Sequence, residues 1–187
     1  MRMMKCKLKK YELIRTENYK LILQLNESEF DYYTDVYMEL TFGTNKITIY
    51  KDNLLELKNS MKQFGENIPI LEAKMDETKL GMLLNDYYRG IYEDNFDENV
   101  ILDSQERWIG EKYCWFINSG YATWIYQYGG RIIMKVTPIF YGFEEDDYIQ
   151  EYCKFKQEYK DIFREQVLLE QIIYMKNLIF NLYEELI

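Results

Sequence analysis

The segment YCWFINSGYATWIYQYGGRIIMKVTPIFYG, residues 113–142, limits the fold of this chain more than any other stretch. Runs rich in aromatic and β-branched residues are separated by Asn118-Ser119-Gly120 and by Gly129-Gly130. Such residues fit a pleated surface, and a glycine pair supplies the positive φ angles of a tight hairpin. The pattern predicts strands over 113–117, 121–127 and 131–137, with Pro138 where a strand can end. Trp124 and Ile132 flank the tight turn and are expected in the core.

Upstream, residues 19–25 read as a short apolar strand. From 35 to 42 the residues alternate, with Val36, Met38, Leu40 and Phe42 on one face, and residues 46–50 return after a turn at Gly43. Asp52 is expected to cap a helix with Leu54, Leu57, Met61 and Phe64 on its apolar stripe and Gly65 as its stop. A second helix is expected over 76–91. Asp76 is its N-cap, Leu80, Leu83, Leu84, Tyr87 and Ile91 its buried stripe, and Gly90 its end. Residues 92–99 read as irregular and 100–102 as a short strand.

From 144 to 187 there is neither glycine nor proline. Tyr148, Tyr152, Phe155, Tyr159 and Ile162 recur at helical spacing, and so do Leu169, Ile173 and Phe180. A continuous helix of that length would span about 60 Å, so the segment reads as a projecting helix or as a helical hairpin broken near 164–166. The expected fold is α+β: one domain over 1–187, an antiparallel meander packed against helices, and a long C-terminal helical region.

The chemistry is bounded by an absence. With no histidine, the commonest general base and metal ligand is missing. Cys6, Cys114 and Cys153 are odd in number and widely spaced, without a CxxC pair, which fits a reducing compartment and leaves a cysteine nucleophile without its usual base. No glycine pattern matches a nucleotide loop. Asp94, Asp97 and Asp103 could form a glycosidase-like carboxylate pair, but 32 acidic residues make such a pair easy to find by chance. Glu144, Glu145, Asp146 and Asp147 lack the order and the glycine of an EF-hand loop and suit the start of a helix. No catalytic centre, metal or cofactor is expected. Neither a secretory leader nor an apolar span long enough for a membrane is read, so the expected location is cytoplasmic.

The net charge of −9 disfavours nucleic acid and anionic membrane as partners and leaves a basic protein, or solubility alone, as its purpose. The charge is uneven. Residues 1–20 hold seven Lys and Arg against two acids, while 76–106 hold nine acids against Lys79 and Arg89, and 144–151 hold five acids and no base. The densest acids, Asp94, Asp97 and Glu98 and then Glu144, Glu145, Asp146 and Asp147, form the expected binding face. Nineteen tyrosines are available as contact residues. Tyr87 and Tyr88 are the chosen anchors, with Tyr32, Tyr33, Tyr126 and Tyr128 as further candidates; a tyrosine-rich core is the competing explanation.

The segment ATWIYQYGGRIIMKVTPIFYG, residues 122–142, resembles a hairpin of small immunity proteins from bacterial contact-dependent growth inhibition and related toxin systems. The resemblance rests on Trp124-Ile125-Tyr126, the Gly129-Gly130 turn and the aliphatic strand ending in Thr137-Pro138, and covers about twenty residues. It implies a non-catalytic protein that binds and neutralises one toxin domain, and it carries over no interface residue. The alternative is a structural or regulatory module that oligomerises through its C-terminal helices.

Overall fold

The computed structural model describes residues 8–26, 31, 33–62 and 67–185. Cys6, Tyr32, Phe64 and Gly65 from the sequence reading lie outside them. In chain order the strands are β1 (Leu8–Arg15), β2 (Tyr19–Asn26), β3 (Asp35–Phe42), β4 (Asn45–Asn53), β5 (Cys114–Asn118), β6 (Tyr121–Tyr128), β7 (Arg131–Pro138) and β8 (Phe163–Val167). The helices are α1 (Leu54–Lys62), α2 (Leu80–Glu93), α3 (Tyr148–Glu158) and α4 (Leu169–Glu184). The architecture is α+β, with two four-stranded sheets, β1-β2-β3-β4 and β5-β6-β7-β8. The chain divides into two compact units, residues 1–66 with 167–187 and residues 67–166.

In the first unit the period of two does the folding work. Leu21, Leu23 and Leu25 of β2 stand opposite Leu40, Met38 and Val36 of β3, and all six are fully buried. β1 adds an edge strand through a bulge between Glu12 and Ile14. Its outward Lys9, Lys10 and Arg15 are the charges that commonly protect a sheet edge. Only Leu13 and Ile14 of this strand are buried, so it shows no apolar alternation to read. Helix α1 buries Leu54, Leu57 and Met61 as its spacing predicts. Its cap is Asn53 rather than Asp52: the Asn53 Oδ1 accepts from the Glu56 amide at 2.9 Å, while Asp52 accepts from the Asn53 amide at 2.7 Å. Lys58 of α1 sits 3.5 Å from the centre of the Tyr183 ring of α4.

α4 buries Ile172, Met175, Ile179 and Leu182. The expected stripe of Leu169, Ile173 and Phe180 is displaced: Leu169 and Ile173 are exposed and Phe180 is half-buried. The winning stripe holds four large apolar residues at 3-4-3 spacing, while Lys176 interrupts the losing one.

In the second unit β6 and β7 join through Gly129 and Gly130, with φ of 58° and 75°, between the paired Tyr128 and Arg131. Two positive φ values match a type I′ turn. The register places Tyr126 opposite Ile133, Trp124 opposite Lys135 and Ala122 opposite Thr137 on one face. Trp124 is fully buried, meets Trp108 edge-to-face at 5.9 Å and donates its Nε1–H to Thr137 Oγ1 at 2.9 Å. Ile132 is only half-buried, and Ile133 takes the core position. Ile132 lies one residue from the exposed turn, opposite Gln127.

α2 packs on that sheet face through Leu80 and Leu84. Gly81 permits the approach, since a Cβ there would strike the Tyr159 hydroxyl and the Thr137 side chain. Asp76 caps the 3-10 turn Glu77–Lys79 that precedes α2 by accepting from the Thr78 amide at 3.0 Å. Ile91 is exposed rather than buried, and the helix continues through Gly90 to Glu93.

The C-terminal region departs most from its helical pattern. α3 ends at Glu158, and residues 163–167 form β8 beside β7, with the Ile162 amide donating to the Val136 carbonyl at 2.9 Å. The open edge of β7 offers hydrogen bonds that a continuous helix would leave unmade, and this tertiary gain overrides local helix propensity.

A fully buried Asn85 ties α2 to the end of β7. Its Nδ2 donates to the Gly81 and Pro138 carbonyls at 2.7 and 3.1 Å, and its Oδ1 accepts from the Phe140 amide at 2.7 Å. Asn85→Ala takes this side-chain partner from the Phe140 amide and the Pro138 carbonyl, and unpaired buried groups cost about 1–3 kcal/mol each. The variant should therefore lose about 2 kcal/mol or more in urea unfolding. A loss no larger than that of an ordinary surface substitution, about 0.5 kcal/mol, would refute the assigned role.

Candidate functional site

The C-terminal end of α2 and the segment leading into α3 wall an open aromatic groove within the second unit. Helix α2 reaches Glu93 because Asp94 ends it in the left-handed conformation, φ 51°, with its amide bonded to the Gly90 carbonyl. Gly90 is buried inside the helix, where a Cβ would collide with the Phe96 ring. It therefore admits the returning loop instead of ending the helix. From the other side, Phe143 packs on Phe140 at 4.8 Å and faces Tyr92 at 6.1 Å. Tyr148 meets Tyr92 edge-on at 5.2 Å and donates its hydroxyl to Glu93, 55 residues away in sequence, at 3.1 Å. The resulting space of about 380 Å³ is lined by Tyr88, Ile91, Tyr92, Tyr141, Phe143 and Glu144, with Ile117 and Ile139 among its remaining walls.

The structure sorts the acids that sequence grouped together. Asp86 and Glu93 are engaged: Lys156 approaches Asp86 at 3.0 Å, and Arg89 lies 4.0 Å from Asp86 and 3.7 Å from Glu93. Tyr152 also donates to Asp86 at 2.9 Å. Asp97 is half-buried and closes its own loop on Asn99. Those hydrogen bonds, and then the charges of Lys156 and Arg89, hold its carboxyl below the ordinary range. Asp97 thus has bases nearby that the sequence spacing hid. Asp94, Glu98, Glu144, Glu145, Asp146 and Asp147 are exposed, and none of them forms an ion pair among the described residues. Glu144 lines the groove, and Asp94 follows the wall residues Ile91 and Tyr92 as the C-cap of α2.

Of the chosen tyrosines, Tyr88 lines the groove, and burial, with Cys114 and Glu111 nearby, keeps its hydroxyl protonated. Tyr87 is half-buried and stacks on Phe96 at 5.9 Å and Trp108 at 6.4 Å, which makes it a seam of the core. Tyr126 is fully buried and is no surface contact, whereas Tyr33 and Tyr128 are exposed. The groove itself was not foreseen. Its signal lies in Ile91 and Tyr92 at the end of α2 and in the run Ile139-Phe140-Tyr141 after the meander, apolar residues whose elements meet only in space.

Asp103 accepts from the Gln105 and Arg107 amides and binds the Arg107 guanidinium at 2.9 Å. Among the described residues no group of three Cys, Asp or Glu is placed to hold a metal, and no helix is long and apolar enough to cross a membrane.

A second cluster of charge lies under the sheet. The fully buried Lys135 ammonium donates to the Glu77 carbonyl at 2.8 Å and pairs with Asp161 at 2.9 Å. The Glu77 carboxylate accepts from the Tyr126 hydroxyl at 2.5 Å and pairs with Arg164 at 2.7 Å. Burial pushes the Glu77 carboxyl up, but the hydrogen bonds from Tyr126 and Arg164 and the charges of Lys135 and Arg164 outweigh it, leaving it below its ordinary 4.5. Burial and the Glu77 bond keep Tyr126 protonated. Every one of these charges is matched, so the cluster can act as a clasp between the Glu77–Lys79 turn, β7 and β8.

The lowered value fixes the sign of a pH effect. A carboxylate depressed on folding stabilises fully above its unfolded value, near 4.5, and loses that contribution as pH falls through the folded value. Glu77→Gln should melt lower than the parent at pH 7, and the gap should close as pH falls from the unfolded value of 4.5 through the lower folded one. Thermal melting from pH 7 to 3 reads this directly, and a gap that stays constant across that range would exclude the ionised clasp.

Comparison with protein-family models, curated proteins and solved structures finds no match to this chain.

Proposed function

We propose that this protein is a non-catalytic inhibitor of the immunity type, which binds a cognate basic toxin domain in the cytoplasm and masks it. The observation that carries the reading is the acidic margin of the aromatic groove. Glu144 lines apolar surface that the protein leaves open to solvent; the exposed Glu145, Asp146 and Asp147 follow it in sequence, and the exposed Asp94 follows the α2 wall. The likeness of residues 122–142 to an immunity-protein hairpin supports it independently. Acids of this kind act chiefly on encounter: they raise the association rate of a positive partner and exclude nucleic acid from the same face.

A specific observation also favours a second reading, an interaction module that self-associates through α4. Leu168, Leu169, Ile173 and Tyr174 are about half exposed at the start of that helix. Sedimentation of the parent and of Ile173→Lys separates the two: a dimer dissolved by the substitution supports the module, and a monomer in both forms removes it.

The inhibitor reading requires a neighbouring gene for a toxin with a basic C-terminal domain, and that domain is the partner for its test. Reversing Glu144, Glu145, Asp146 and Asp147 to Lys should slow association at low salt by about tenfold or more. The difference should shrink as the Debye length falls to about 8 Å at physiological ionic strength. An association rate that is the same for parent and variant at low salt would show these acids to be solvated surface only.

A further inference from the structure

We infer that the groove between the C-terminal end of α2 and the segment leading into α3 is an anchor pocket for one apolar side chain, aromatic or branched, presented by a Lys- or Arg-flanked segment of a protein partner. The inference rests on the protein-binding reading above and names the chemistry of the contact. Three observations carry it.

The first is the exposure of the walls. Ile91, Tyr92 and Tyr141 are 53, 51 and 63 % exposed although they border a concave site. Apolar surface in that position gains from burial by a partner. The walls are also held in place before any partner arrives. Tyr92 is fixed by Phe143 and Tyr148, and Phe143 by Phe140 and Tyr152, with ring separations between 4.8 and 6.1 Å. A preset pocket spares the partner much of the ordering cost of binding.

The second is size. About 380 Å³ is near the lower end of ligand sites, roughly 300–1,000 Å³. That suits a side chain with its adjoining backbone better than an extended cofactor.

The third is charge. Glu144 is the one carboxylate in the lining, and Glu145, Asp146 and Asp147 follow it on the exposed turn. An anionic ligand would meet these charges, whereas a cation on either side of the inserted residue would satisfy them. The protonated Tyr88 hydroxyl in the wall can donate to a backbone carbonyl of the incoming segment. An aromatic anchor in a desolvated pocket within a charged rim is the common composition of a binding hot spot.

Three dye-labelled peptides test the inference: a central Trp flanked by Lys, the same Trp flanked by Glu, and a central Ser flanked by Lys. Binding is read by fluorescence polarisation, and its location by the methyl signals of Ile91, Ile117 and Ile139 in isoleucine-labelled protein. The Lys-flanked Trp peptide should bind about tenfold more tightly than either control and shift all three methyls. Ile91→Ser, a change at an exposed wall, should weaken it severalfold, and so should Glu144→Lys.

Equal binding of the Lys-flanked Ser peptide would overturn the anchor, leaving only a charged surface. Equal binding of the Glu-flanked Trp peptide would overturn the charge requirement and make the site a general apolar cleft. Methyl shifts that grow with protein concentration alone would show a second copy to be the occupant. Toxin neutralisation untouched by Ile91→Ser would sink the anchor while sparing the proposed function. Peptide binding at the three methyls without any effect on the toxin would do the reverse.

Discussion

Lys135 carries a full charge into the middle of β7, opposite Trp124, and its surroundings are arranged around that charge. An ammonium taken out of water loses several kcal/mol of solvation unless the chain supplies partners. The partners come from two distant segments, the Glu77 carbonyl ahead of α2 and the Asp161 carboxylate ahead of β8. Glu77 in turn engages Tyr126 and Arg164, so the start of α2, two neighbouring strands and the edge strand converge on one cluster. Breaking such a pair by removing one member is far more damaging than replacing all members with apolar residues. The cluster therefore specifies this arrangement more than it strengthens it.

Much of the fold is legible where one interaction dominates. β2, β3 and the meander announce themselves because period-two burial and glycine turns act locally, and Leu21, Leu23, Val36 and Met38 lie where alternation puts them. The losses occur where a distant segment decides. Residues 163–167 have no glycine, no proline and a helical neighbourhood, yet they extend because β7 presents an unpaired edge and Lys135 requires Asp161. β1 shows no apolar alternation, since only Leu13 and Ile14 of it are buried. The phase of α4 turns on a choice between two apolar stripes, which only the packed partners α1 and β1 can make.

Of the candidate site, sequence offered residue types and not geometry. Clustered acids and an excess of tyrosine pointed to a binding surface, and Tyr88 and Glu144 do share a groove. Spacing along the chain could not reveal that Arg89 and Lys156 temper Asp97 and Asp86, because Lys156 arrives from α3. Nor could it separate Tyr87, stacked against Trp108, from Tyr88, its neighbour on the groove wall. Adjacent residues on a helix point about 100° apart, so one tyrosine of a pair is readily structural while the other is free to meet a partner.

The division of the chain has a consequence for its synthesis. The second unit is one uninterrupted stretch, residues 67–166, inserted in sequence between the two parts of the first, whose helix α4 packs on α1 and β1. Chains emerge from the ribosome N-terminus first, at about 5–20 residues per second. The sheet β1-β2-β3-β4 is therefore made early but waits, with its α4 contacts unmade, while about a hundred further residues are added. The inserted unit has all its own residues in hand before α4 exists. The part of the protein that carries the groove is thus able to mature first, and the unit that encloses it in sequence is completed last.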